Sequence, residues 1–234
     1  MKKGCERTIV CLVNYWFGEF MDKPYFRQLF EPQLKEPIFV EGLPGLGNIG
    51  MIAANHLIES TDAKVFAELY APYFPDYVIV NKDGTCRPPR YQFYAAKTDK
   101  NQYIILTGDS QPSIEDSLAH YDLCDEILNF AEKHGSRFIV TMGGLSTPKP
   151  GNEVYIAATS EKLTQKYLEK GVRIYGEGRI MGATGLLLGL AKKRGWQGIC
   201  LLGGTAGFGA ERGVALALYK VLTEILEAET EGKH

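Results

Sequence analysis

Short runs rich in β-branched residues alternate with stretches of helical periodicity along this chain, and that alternation narrows the folds open to it. Residues 8–14, 37–41, 64–70, 137–142, 154–158, 172–175 and 199–202 read as strands. A helix running to about Ser60, helices at 113–134, 160–170 and 182–194, and a last one carrying Val214, Leu218, Val221, Leu222 and Ile225 complete the alternation. In 113–134, Leu118, Tyr121, Cys124, Leu128 and Ala131 recur at three- and four-residue spacing, which predicts one buried face ended by Gly135. Apolar strands joined by helices predict a twisted, mostly parallel sheet covered on both faces. The segment 77–107 changes texture, because the β-rich runs 77–80, 91–96 and 103–106 are separated by hairpin signals at Lys82 to Gly84 and Thr98 to Asn101. The expected architecture is therefore one α/β domain over 1–234 with a mixed sheet. An aromatic connection occupies 15–36, and 227–234 is expected to be a frayed acidic tail, its glutamates at the unfavourable pole of the last helix.

Composition closes several functional classes. The 234 residues carry 26 Lys+Arg against 28 Asp+Glu, so no global charge draws the chain to nucleic acid or to an anionic membrane. The longest mostly apolar stretch, 180–191, is too short and too glycine-rich to span a bilayer. The start of the chain lacks an uninterrupted apolar core of signal-peptide length, so a cytosolic protein is expected. Five scattered cysteines form no C-x-x-C pair, which predicts neither a disulfide framework nor a zinc site. Cys11, Cys124 and Cys200 sit in apolar patterns as core thiols. No metal and no cofactor is expected.

The most suggestive local signal is Gly45-Leu46-Gly47-Asn48-Ile49-Gly50, a G-x-G-x-x-G string between a strand and a helix. In a dinucleotide fold its amides would hold phosphate, and Glu68, eighteen positions past Gly50, would meet a ribose. Gly45, Gly47, Asn48 and Gly50 are thus the candidate cofactor-binding residues of a nucleotide- or phosphometabolite-binding alternative. Against it stand Pro44 in the turn, apolar neighbours Leu43, Leu46 and Met51, and the absence of a Lys-Ser/Thr after the last glycine. The competing reading has these glycines permitting a tight turn and close helix–strand approach.

Around this loop the chain resembles a known family. The string from Phe39 through Gly42-Leu43-Pro44-Gly45 to Ala54 is similar to the hallmark of the proteasome-assembly-chaperone family in its archaeal form. Ala67 to Tyr70, Gly108 to Pro112, Thr141 to Pro148, Gly178 to Leu188 and Leu201 to Thr205 continue the resemblance in order. It implies a fold like the nucleoside phosphorylases and a role in proteasome assembly, without catalysis. It also implies self-association, with archaeal relatives suggesting a pentamer or tetramer, and partners among proteasome subunits or a sister chaperone. Some archaeal members dock through a tail of hydrophobic residue, tyrosine and any residue; here Lys233 holds the tyrosine's place, so tail docking is not expected.

No catalytic constellation is expected. Gly143-Gly144 and Gly203-Gly204-Thr205 could approach a ligand at strand ends, but no G-x-S-x-G elbow is present. Asp109 and Ser113 read as caps of the helix that follows, and His120, one turn after Asp116, reads as part of a solvated helix face or as an acid–base pair. The aromatic residues concentrate in two places, giving Trp16, Phe17, Phe20, Tyr70, Tyr73, Phe74 and Tyr77 as candidate interface residues. The other reading has them covering the sheet edge within one subunit.

Overall fold

The computed structural model of the protein describes residues 22–147, 151–207 and 209–231. The expected strand 8–14 and Cys11 lie outside them. Eleven strands and five helices are present among the described residues. The strands are β1 (Tyr25–Gln28), β2 (Ile38–Glu41), β3 (Lys64–Tyr70), β4 (Ile79–Val80), β5 (Cys86–Arg87), β6 (Tyr91–Lys97), β7 (Gln102–Gly108), β8 (Phe138–Ser146), β9 (Val154–Ala158), β10 (Arg173–Ile174) and β11 (Gln197–Thr205). The helices are α1 (Ile49–Ser60), α2 (Ser117–Lys133), α3 (Glu161–Tyr167), α4 (Gly182–Lys193) and α5 (Arg212–Glu231).

Nine strands form one sheet in the order β1-β3-β6-β7-β2-β8-β11-β9-β10. Its centre, β7-β2-β8-β11, is parallel, as buried crossover connections require. The wing β1-β3-β6-β7 is antiparallel, and β9 runs antiparallel to β11. "Mostly parallel" is therefore corrected: half of the pairings are antiparallel, because the hairpin segment supplies a whole wing of the sheet. The run 77–80 contributes only β4, which pairs with β5 in a separate two-stranded ribbon. Arg87 of that ribbon donates through both Nη atoms to Asp109, at 2.6 and 2.9 Å, and so clamps it to the end of β7.

The central strands bury both faces, so their apolar residues run without alternation. Val40, Met142 and Leu201 point into a core closed by α1, α3 and α5. Phe39, Ile139 and Cys200 point into a second core closed by α2 and α4. Cys124 joins that second core, so both described cysteines of the apolar patterns are buried.

Three local expectations change. The second helix begins at Ser117, and its cap is Asp116, whose carboxylate accepts the Ala119 N–H, instead of Asp109 or Ser113. Asp109 is occupied by Arg87 and by the Arg90 N–H. The buried arc of α2 is centred on Leu123, Ile127 and Phe130, which leaves Leu118 78% and Tyr121 53% exposed instead of in the core. Fraying from 227 is replaced, as far as Glu231, by helix: Lys100 pairs with Glu227, and Lys166 and Tyr167 both donate to Glu229.

Candidate functional site

At the carboxyl end of β2 the chain turns through a short 3-10 segment (Leu46–Asn48) into α1. This turn lies against the ends of β8 and β11 because glycine removes the side chains that would separate them. A Cβ on Gly50 would stand 2.1 Å from the Met142 carbonyl oxygen, and one on Gly144 2.3 Å from that of Leu46. Both contacts are backbone to side-chain position, so neither can be relieved by a rotamer change. Some of the loop's polar groups are spent on the protein. The Asn48 N–H donates to Gly45 O at 2.9 Å, and Gly47 O accepts the Glu211 N–H at 2.9 Å. Asn48 itself is left-handed and its side chain caps nothing. Glu68 sits on β3, which lies three places from β2 in the sheet instead of beside it. There it receives Arg90 at 2.6 Å and the Tyr70 hydroxyl at 3.0 Å, so it is bound into the wing of the sheet.

Next to the loop is a cavity of about 460 Å³ beyond the ends of the parallel strands, the place where open α/β sheets hold ligands. Gly45 and Gly50 border it, together with Leu43, Gly143, Thr184 and the start of α4. Gln111 braces the entrance: its Nε2 donates to Pro44 O at 2.6 Å and its Oε1 accepts the Ala183 N–H at 3.0 Å. Gly47 and Asn48 do not line it, so only two of the four loop residues singled out from the sequence face this space.

Behind the cavity wall lies a group that the sequence reading passed over. Glu41, the last residue of β2, is fully buried. Its Oε1 accepts the Leu43 N–H at 2.9 Å and the Thr184 hydroxyl at 3.4 Å, while Oε2 has no partner. Burial pushes this carboxyl up to about 7; hydrogen bonds from the Leu43 and Met142 backbone and from Thr184 oppose the shift without cancelling it. Its neighbour Cys200 is also buried, which pushes the thiol up to about 12 and leaves it a core group, not a nucleophile. The available signal was a single acid closing the otherwise apolar run Ile38-Phe39-Val40.

The aromatic candidates are distributed unevenly. Tyr70 is buried, stacks on Tyr25 at 5.4 Å and binds Glu68. The Tyr73 hydroxyl donates to Asp122 at 3.0 Å, and Phe74 packs on Tyr91 at 4.7 Å. Tyr77 is exposed, whereas Trp16, Phe17 and Phe20 lie outside the described residues. Of the second aromatic cluster, Tyr70 and Phe74 thus pack on the wing of their own sheet, while Tyr73 reaches α2. Further exposed apolar side chains, Leu46, Ile114, Tyr121 and Met181, stand around the cavity and the groove that continues from it.

A family model described as the PAC2 family matches residues 39–232. The chain is similar to an uncharacterized protein of Methanocaldococcus jannaschii, with 34% identity over 215 residues, 90% of this chain and 82% of that one. It superposes on Pyrococcus furiosus PbaB, an archaeal proteasome activator, with a TM-score of 0.83 and 36% identity, covering 91% of this chain and 95% of that one. Pyrococcus furiosus PbaA, an archaeal homolog of proteasome-assembly chaperone, aligns with a TM-score of 0.71 and 26% identity over 88% and 87% of the two chains.

Proposed function

This chain belongs to the PAC2 family, and from that premise we propose that it is a non-catalytic oligomeric chaperone or scaffold that binds proteasome subunits. The observation that carries the reading is the likeness to the proteasome activator PbaB over nine-tenths of both chains. The exposed apolar rim of Leu46, Ile114, Tyr121 and Met181 supports it, since a patch of this kind marks a protein-contact surface. Self-association into a closed homo-oligomer, a cytoplasmic location and a nucleoside-phosphorylase-like body belong to the same reading. Native mass spectrometry of the protein, alone and with proteasome α-subunits, tests it. A defined oligomer and a mixed complex are expected; a monomer that takes up no subunit refutes it.

A second reading, a nucleotide or phosphometabolite held at Gly45–Gly50, is favoured only by the cavity that Gly45 and Gly50 border. The internal bond of the Asn48 N–H weighs against it, because that amide is one a phosphate would need. Thermal shifts with NAD, ATP and nucleosides separate the two readings. A ligand at ~100 times its Kd would stabilise the fold by about 2.7 kcal/mol.

A further inference from the structure

The cavity beside the glycine turn is basic at its border, with the Glu41 carboxyl buried behind its wall. Its residues include no acid; the ionisable side chains that border it are Arg179 and His120. Arg179 is exposed, and no carboxylate of the described residues lies within ion-pair distance of it. His120 Nε2 is shielded from solvent and has no hydrogen-bond partner. Gly182 opens α4 in the same wall, so the positive end of that helix's dipole adds to the field. The complement of this arrangement is an anionic group attached to something apolar, because Leu46, Ile114 and Met181 supply the rest of the mouth.

The space does not end at the mouth. A groove of about 420 Å³ continues between α2 and α4, sharing Ile114, His120, Ile180, Met181 and Gly182 with the cavity. Tyr121 flanks it, and nothing lies within 4 Å of where a Cβ on Gly189 would stand, so its floor is bare. A small carboxylic acid would fill the cavity and leave this groove and its exposed apolar side chains in water. An extended chain segment covers both.

We propose that the cavity and its groove receive the carboxyl-terminal segment of a client protein, the last apolar side chain entering the cavity and the terminal carboxylate facing Arg179. This rests on the client-binding reading above and gives that reading a surface and a ligand chemistry. Carboxylate capture at a chain end and apolar anchoring in a pocket are both established modes of peptide recognition.

Fluorescence anisotropy on the full chain tests it, with a fluorescein-labelled hexapeptide Gly-Ser-Gly-Ala-Leu-Phe as the free acid and as its carboxyl amide. The acid is expected to bind about tenfold more tightly than the amide, the size of one charge-assisted contact. Arg179→Ala should bring the acid down to the level of the amide, and Met181→Asp should remove binding of both. Both positions are exposed and Met181 holds the cap position of α4, where Asp is favourable, so thermal midpoints no lower than the parent's will verify that the variants fold. Equal binding of acid and amide, or no binding of either up to millimolar concentration, overturns the inference. Capture of proteasome α-subunits by the unaltered protein is measured in parallel. Success there with failed peptides sinks this inference alone, whereas failure there sinks the reading beneath it and leaves the titration to decide the peptide site.

Discussion

The antiparallel wing and the parallel centre of the same sheet are held together by different means. In the wing, large side chains meet: Phe66, Phe93 and Phe130 lie with ring centroids 4.8 to 6.5 Å apart, and Glu68 is buried against Arg90 and Tyr70. In the centre, backbone meets backbone, with glycines where β8 passes the turn into α1. The wing is thus sensitive to what its side chains carry, and the centre to the addition of any side chain. The candidate site lies on the second kind of surface, where small residues leave a space and a buried acid stands behind its wall.

The sharpest way to break this contrast is Gly50→Ala. A methyl group 2.1 Å from the Met142 carbonyl oxygen forces helix and strand apart, so a loss of at least about 3 kcal/mol in urea unfolding is expected. Next comes Glu41→Gln, which should be close to neutral at pH 5 and stabilising at pH 8. The Glu41 carboxyl stands at about 7 when folded against 4.5 in the reference state. Its stabilising protonated form is fully present below 4.5 and is lost as pH rises through about 7. The difference between variant and parent should therefore grow to about 3 kcal/mol across that window, read from unfolding curves at both pH values. In the wing, Arg90→Ala leaves the buried Glu68 carboxylate with the Tyr70 hydroxyl and the more exposed Arg27 at 3.5 Å. A loss of about 2 kcal/mol is expected, reduced from the fully buried case because Arg90 is partly solvated. The smallest effect sharpens the comparison from the other side. Gly189→Ala meets empty space on α4 and should stabilise by about 1 kcal/mol, seen as a higher thermal midpoint.

Legibility followed the range of the forces involved. Lys64–Tyr70 and Val154–Ala158 were readable to the residue because each is a β-rich run with clear boundaries. The helix into Ser60 and the stop at Gly171 were readable for the same local reason. The order of strands was not, since it depends on which crossover packs on which face and no local pattern encodes that. Leu118 and Tyr121 misled because helical spacing shows that residues share a face without saying which face meets the sheet. Asp116 was overlooked as a cap beside Ser113, a residue type equally suited to that role. Of the site, Gly45 and Gly50 were recognisable as a turn, whereas Glu41, Thr184, Gln111 and Arg179 come from distant parts of the chain and meet only in the folded protein.

The position of β2 has a kinetic consequence. It ends at Glu41, but its two neighbours begin at Gln102 and Phe138. A ribosome adding about 5–20 residues per second needs on the order of 5–20 s to deliver the second of them. Throughout that interval Ile38, Phe39 and Val40 emerge as an adhesive stretch with no native partner on one side. The strand that ends as the most sheltered of the sheet is, during synthesis, the one that waits longest for shelter.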